Sequence, residues 1–419
     1  MSIKEFGLAK GQLSKTQTWV TFWVLFLFAT TWMFANVKPT SVMLPLALSY
    51  GFTEADMGNI MSIAGVAGLL VAMPAAWLIR KIGVKATCLI TAIVGIIGSF
   101  ICVIATNVPV FLTGRFIEGA AFGIASIIGP NAMPRMFPVS KLGNAMGIWS
   151  LWVTPGVILN FAAGPALFEA FGPQGLMIFA VILEVVMTLL MLIFVKMPAV
   201  DLNTIVEGNV EQKRVIGKQH TTWAIVVAIS FVLWCTLYAA FNNFYATYLT
   251  TVQGLTAGYA GIICLCIALF TVPAGFIVGR IVDKFHLAKH FICIGYLIVG
   301  ITVGTIAFQS EQSAVTPWIT CIVVGFFSGS MVPIGTRTII PLLAKDPAKT
   351  DYSLGIMGLV TQFANIATGS IFAPLFASVG FHLAALYMLV PIAGVAVVLF
   401  LFCPSDKKLY QEELDAQTK

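Results

Sequence analysis

The chain is a succession of long apolar runs separated by short polar turns. A helix needs about 20 mainly apolar residues to cross the hydrocarbon core of a bilayer. Twelve such runs are predicted, at 18–47, 56–79, 86–106, 109–132, 142–167, 174–196, 221–250, 256–280, 290–308, 315–337, 352–378 and 381–403. Their apolar character is continuous, not alternating, and each run is long enough to span unaided, so helices are expected and a β-barrel is not. The first run is too long for a signal-peptide core and has no small-residue cleavage site after it, so it is expected to remain as a helix. The one long polar connection, 197–220, carries Asp201, Glu207, Glu211, Lys213 and Arg214 and divides the runs six and six. The expected fold is an all-α membrane protein with twelve transmembrane helices in two pseudo-symmetric six-helix bundles. Residues 1–196 form the first bundle, 197–220 a cytoplasmic linker, and 221–419 the second bundle with a short cytoplasmic tail.

Composition agrees with this reading. The chain is 59% hydrophobic and 10% charged, with a mean hydropathy of +0.97, which leaves too little polar material for the surface of a soluble protein of this length. Charge placement then gives the topology. All but two of the 23 Lys and Arg residues fall at the ends of apolar runs, always on the same side. The alternate loops, such as Ser49 to Gly58 and Thr250 to Gly258, carry none. The positive-inside rule puts both termini in the cytoplasm of a multi-pass protein of the cell (inner or plasma) membrane. The net charge of +6 is this orientation signal, so no nucleic acid is expected as a partner. The eight cysteines lie in or beside apolar runs and read as buried spectators, and no metal or other cofactor is predicted.

The two exceptions to the charge pattern are Lys38 and Arg115. Hydrocarbon cannot solvate a cation, so each needs a partner or a ligand. Lys38 lies roughly 12 Å and Arg115 roughly 9 Å in from the outer ends of the first and fourth runs, at 1.5 Å per residue. Two cations at similar depth suggest an anion clamp, Arg as a bidentate fork and Lys as a point charge. Pro39 removes a helical hydrogen bond beside Lys38, freeing a carbonyl there. The bland alternatives are that Lys38 snorkels to the headgroups and that Arg115 pairs with Glu118, one turn on. Glu118 is also the candidate coupling residue. Glu184, the other acid within an apolar run, is expected to be a structural partner. The second half has no charge away from its cytoplasmic ends, so neutral groups are expected to contact the solute: Tyr238, Asn242 and Tyr245 along one stripe, with Gln362 and Asn365 one turn apart. Trp32, Asn36 and Trp149 complete the candidate set.

Weak self-similarity accompanies the six-and-six division. Gly123 to Arg135 in the fourth run has the spacing of Gly325 to Arg337 in the tenth, and an aromatic residue and an Asn one turn apart recur as Trp32/Asn36 and Tyr238/Asn242. Gly279-Arg280-Ile281-Val282-Asp283-Lys284 is similar to the G-x-x-x-D-[RK] loop of the major facilitator superfamily. Arg115-Phe116-Ile117-Glu118-Gly119, continuing to Met136-Phe137-Pro138 and Gly147-Ile148-Trp149, resembles the pattern of its organic-anion branches (anion:cation symporter, oxalate-formate and cyanate permease-like). The first-half loop departs from the pattern, with Ala75 in place of its Gly and Ile79 in place of its Asp. Asn160-Phe161 stands where the antiporter motif has Gly-Pro, and Asn36 where proton-coupled relatives often keep an Asp.

The resemblance implies a central cavity lined by the first, fourth, seventh and tenth helices. It also implies a conformational latch at Arg280, Asp283 and Lys284. The expected function is a secondary active transporter that moves a small organic anion, a carboxylate, by alternating access as symporter or exchanger. Its coupling partner would be a proton or a counter-anion, its surroundings membrane lipid, and its state a monomer. The alternative is a multidrug or metabolite exporter of the same superfamily, although an exporter of cations would want acids in the cavity. No enzyme activity is expected: there is no clustered catalytic set and no G-x-x-x-x-G-K-[ST] loop for ATP.

Overall fold

A computed structural model describes residues 13–137, 145, 148–149, 151–197, 220–345 and 347–417. It is built of helices and divides into two compact units, Met1–Asn209 and Val210–Lys419.

In the first unit, α1 (Lys15–Val37) starts at Ser14, whose side chain accepts from Gln17 N. It stops well short of the predicted end of the first run. A turn over residues 38–42 separates it from the short α2 (Met43–Tyr50). α3 (Glu54–Ile82) opens on a capping box in which Thr53 and Asp56 each accept from the other's backbone N–H. α4 (Val84–Ile104) follows directly after Gly83, and α5 (Val108–Met136) is capped by Asn107, which accepts from Val110 N at 3.1 Å. α6 (Val153–Phe194) runs for 42 residues, but Gly172 has φ 68° and is followed by Pro173, so two helices meet there at a kink. Only glycine adopts that backbone conformation cheaply. The predicted runs 142–167 and 174–196 join at this point. α5 lies against α1, α3 and α4, and α6 against α1 and α4.

The second unit begins with α7 (Thr221–Thr251) and α8 (Ala257–Phe285). Each of its last four predicted runs contains a single π-helical turn: Thr302–Ile306, Val324–Ser328, Thr368–Phe372 and Ala385–Leu389. Such turns shift the side-chain register by one residue without changing the apolar character. The tail is not loose chain, because Asp406–Gln417 is helical and Asp406 Oδ2 accepts from Ala288 N at 2.7 Å.

Among the described residues ten helices are long and apolar enough to cross a membrane, where twelve runs were expected. Val153–Phe194 merges two of the runs across the kink, and within Glu54–Ile82 the described stretch Asp56–Val71 counts as a shorter apolar helix.

Candidate functional site

The break after α1 creates the site. Pro39 has no N–H to give to Ala35 O, the acceptor four residues back. Thr40 N turns to Val37 O at 2.9 Å, which leaves Asn36 O free as well. Arg115 takes both: Nη1 donates to Ala35 O at 2.9 Å and Nη2 to Asn36 O at 2.7 Å, while Nε reaches Ile60 O on α3 at 3.4 Å. The freed carbonyl expected beside Lys38 is therefore present and is occupied by the other buried cation. From the α6 side, Asn160 braces the same turn. Its Oδ1 accepts from Ser41 Oγ at 2.9 Å and its Nδ2 donates to Thr40 Oγ1 at 3.0 Å. A Gly at position 160, as in the motif this segment departs from, would supply neither bond.

Lys38, the C-cap of α1, and Arg115, one turn before Glu118 on α5, donate to the same carboxylate: Lys38 Nζ to Glu118 Oε1 and Arg115 Nη1 to Glu118 Oε2. Lys38 and Arg115 are 0% exposed and Glu118 1%. Neither cation snorkels to the headgroups. The two do converge on a carboxylate as a clamp should, and the carboxylate is the protein's own. Removing one partner from a buried pair of this kind typically costs about 3–5 kcal/mol, because the other charge is left unsolvated.

The polar chain continues across α4 to α6. Ser99 Oγ lies 2.6 Å from Glu118 Oε1 and 2.6 Å from Glu184 Oε1. The approach of α4 to α5 depends on small residues. A Cβ on Gly98 would meet Glu118 N at 2.7 Å and Gly114 O at 2.9 Å, both backbone atoms that cannot move aside. Nothing in the sequence singles out Ser99, since a lone Ser in an apolar run is ordinary. The sequence expectation for Glu184, a structural partner, does not give its place beside the cluster, which needs the fold.

The other candidates are distributed as follows. Trp32 is buried over Gly95 of α4 and edge-on to Phe28, and Trp149 is buried over Gly129 and edge-on to Phe22 and Phe26. Asn36 contributes its backbone oxygen to Arg115. In the second unit, Tyr238 and Asn242 are half-buried, and Asn242 Nδ2 donates to Tyr238 O at 3.1 Å. Tyr245 leaves that stripe for an aromatic cluster, stacked on Phe241 at 4.3 Å and on Tyr248 at 5.6 Å. Gln362 is buried and Asn365 half-buried on Pro347–Ala367. Arg280 and Lys284 are exposed at the end of α8, and the Asp283 side chain lies outside the described residues.

A discontinuous first helix with buried charge at its break is accompanied by a direct sequence match. The sequence profile of the Major Facilitator Superfamily matches residues 21–350. The chain belongs to this family. Members are transporters, multi-pass membrane proteins and not enzymes. The chain is similar to "Myo-inositol transporter 2" of Schizosaccharomyces pombe, 29% identical over 107 residues, 26% of this chain and 19% of that one. It is also similar to the "Arabinose-proton symporter" of Escherichia coli, 29% identical over 118 residues, 28% of this chain and 25% of that one. The matched segments thus span a quarter or less of these relatives. Among solved structures, a bacterial homologue of the lysosomal transporter Spinster, inward-facing and occupied, shares the fold. It has a TM-score of 0.69 and 15% identity, and covers 96% of this chain and 98% of its own.

Proposed function

We propose that this superfamily member is a secondary transporter for a small organic anion, a carboxylate, working by alternating access in the cell membrane with both termini cytoplasmic. The observation that carries the reading is the carboxylate of Glu118 held between Lys38 and Arg115 in a buried site. Two cations arranged around one carboxylate make a binding geometry that a solute carboxylate of the same shape satisfies equally well. Substrate competes with Glu118 for the clamp.

A second reading has its own support. The relatives are named for inositol and arabinose transport, and a clamp already filled by Glu118 leaves no uncompensated charge for an anion. On that reading Lys38, Arg115 and Glu118 brace the break in α1, and the solute is a neutral, hydroxylated molecule. A thermal-shift screen of the purified protein against a panel of small carboxylates and a panel of sugars and polyols separates the two. The anion reading expects stabilisation by a carboxylate that is lost in Lys38→Gln. Stabilisation by sugars alone overturns it.

A further inference from the structure

A hydroxyl carries one hydrogen. Ser99 Oγ nevertheless lies 2.6 Å from a carboxyl oxygen of Glu118 and 2.6 Å from one of Glu184. Ser99 can donate in one direction only, so the other contact needs a hydrogen supplied by a carboxyl group. Glu118 accepts from Lys38 and Arg115 and has every reason to stay charged. Glu184 touches neither cation. Its other oxygen, Oε2, is buried without a hydrogen-bond partner among the described residues. A carboxylate oxygen left bare in hydrocarbon is far costlier than the carbonyl oxygen of a neutral acid. The hydrogen therefore belongs on Glu184 Oε1, which donates to Ser99 Oγ, and Ser99 donates to Glu118.

We propose that Glu184, Ser99 and Glu118 form a buried proton site and relay that controls whether the cation clamp is free. In the resting arrangement Glu184 is a neutral acid and Glu118 a carboxylate. Glu184 passes its proton to Ser99 Oγ as Ser99 passes its own to Glu118 Oε1. One O–H bond breaks and one forms at each transfer, and no proton is gained or lost. Afterwards Glu118 is the neutral acid and Glu184 the carboxylate. The negative charge has moved from α5 to α6, away from Lys38 and Arg115, which are then open to an anion. This last step rests on the anion reading above, but the proton site itself does not. The charged or titratable groups around Glu184 are Lys38 from the end of α1, Cys102 from α4, and Arg115 and Glu118 from α5. Thr188 on α6 donates only to the Glu184 backbone carbonyl, at 2.6 Å. Among the described residues no other acid lies between Glu184 and Glu118, so the relay has a single defined order.

The test uses the purified full chain in liposomes, without substrate, and reads the infrared C=O stretch of neutral carboxyl groups at neutral pH in H2O and D2O. The wild type is expected to show a deuterium-sensitive band that is missing in Glu184→Gln. In Ser99→Ala the band should persist but move to higher frequency, because the acid has lost its acceptor. A wild-type spectrum without such a band, or a band unchanged in Glu184→Gln, overturns the proposal. So does an unshifted band in Ser99→Ala, a variant that keeps every charge and therefore serves if Glu184→Gln does not fold. Because no substrate is present, these bands are read independently of whether any anion proves to be transported.

Discussion

At Arg115 the guanidinium does what no other side chain can: it fills two orphaned carbonyls and a carboxylate at once. Arg115→Lys keeps the charge but has too few directed donors, and each buried acceptor left bare costs about 1–3 kcal/mol. A lower unfolding temperature and strongly reduced transport are expected, and a thermal-shift curve matching wild type would contradict this assignment. Glu118→Gln leaves two cations against no carboxylate, with an expected cost of about 3–5 kcal/mol. Adding Lys38→Met to it should recover part of that loss in the same melt. If the double variant is no better than the single, Lys38 and Glu118 are not coupled as described. Lys38 and Arg115 were legible in the sequence because charge in an apolar run is rare. Their common partner was only half legible, since Glu118 is one turn from Arg115 but 80 positions from Lys38 along the chain.

For the helices, the boundaries followed from hydrophobicity and the interruptions did not. The run 18–47 turns apolar again beyond the break at 38–42, so Lys38, Pro39, Thr40 and Ser41 mark the place and a lost bond without giving the size of the turn. The π-helical turns of the second unit are invisible for the same reason: a one-residue register shift leaves the composition of the run untouched. The turn at 38–42 is pinned by Asn160 through two hydrogen bonds. Asn160→Ala should therefore destabilise the protein by about 1–3 kcal/mol and slow transport, whereas Asn160→Ala with an unchanged melt and rate would show the brace to be dispensable. Gly98→Ala should act on the α4–α5 contact in the same direction, because its Cβ would meet backbone.

Taken whole, the chain belongs to a transporter family, and its orientation is a proposal from the alternation of charged and uncharged loops. A single cysteine placed near Lys419, in a background without the native eight, should react with an impermeant thiol reagent in inside-out vesicles and not in intact cells. Reaction in intact cells would reverse the topology. Substrate choice is the least legible property, because it depends on whether two charges seen in sequence are spent on the protein or offered to a solute. Counterflow measures that directly. Proteoliposomes loaded with an unlabelled carboxylate identified by thermal shift are expected to accumulate the labelled compound transiently, with the signal abolished in Lys38→Gln. Counterflow of a neutral sugar but of no carboxylate, with Lys38→Gln still active, would contradict the account.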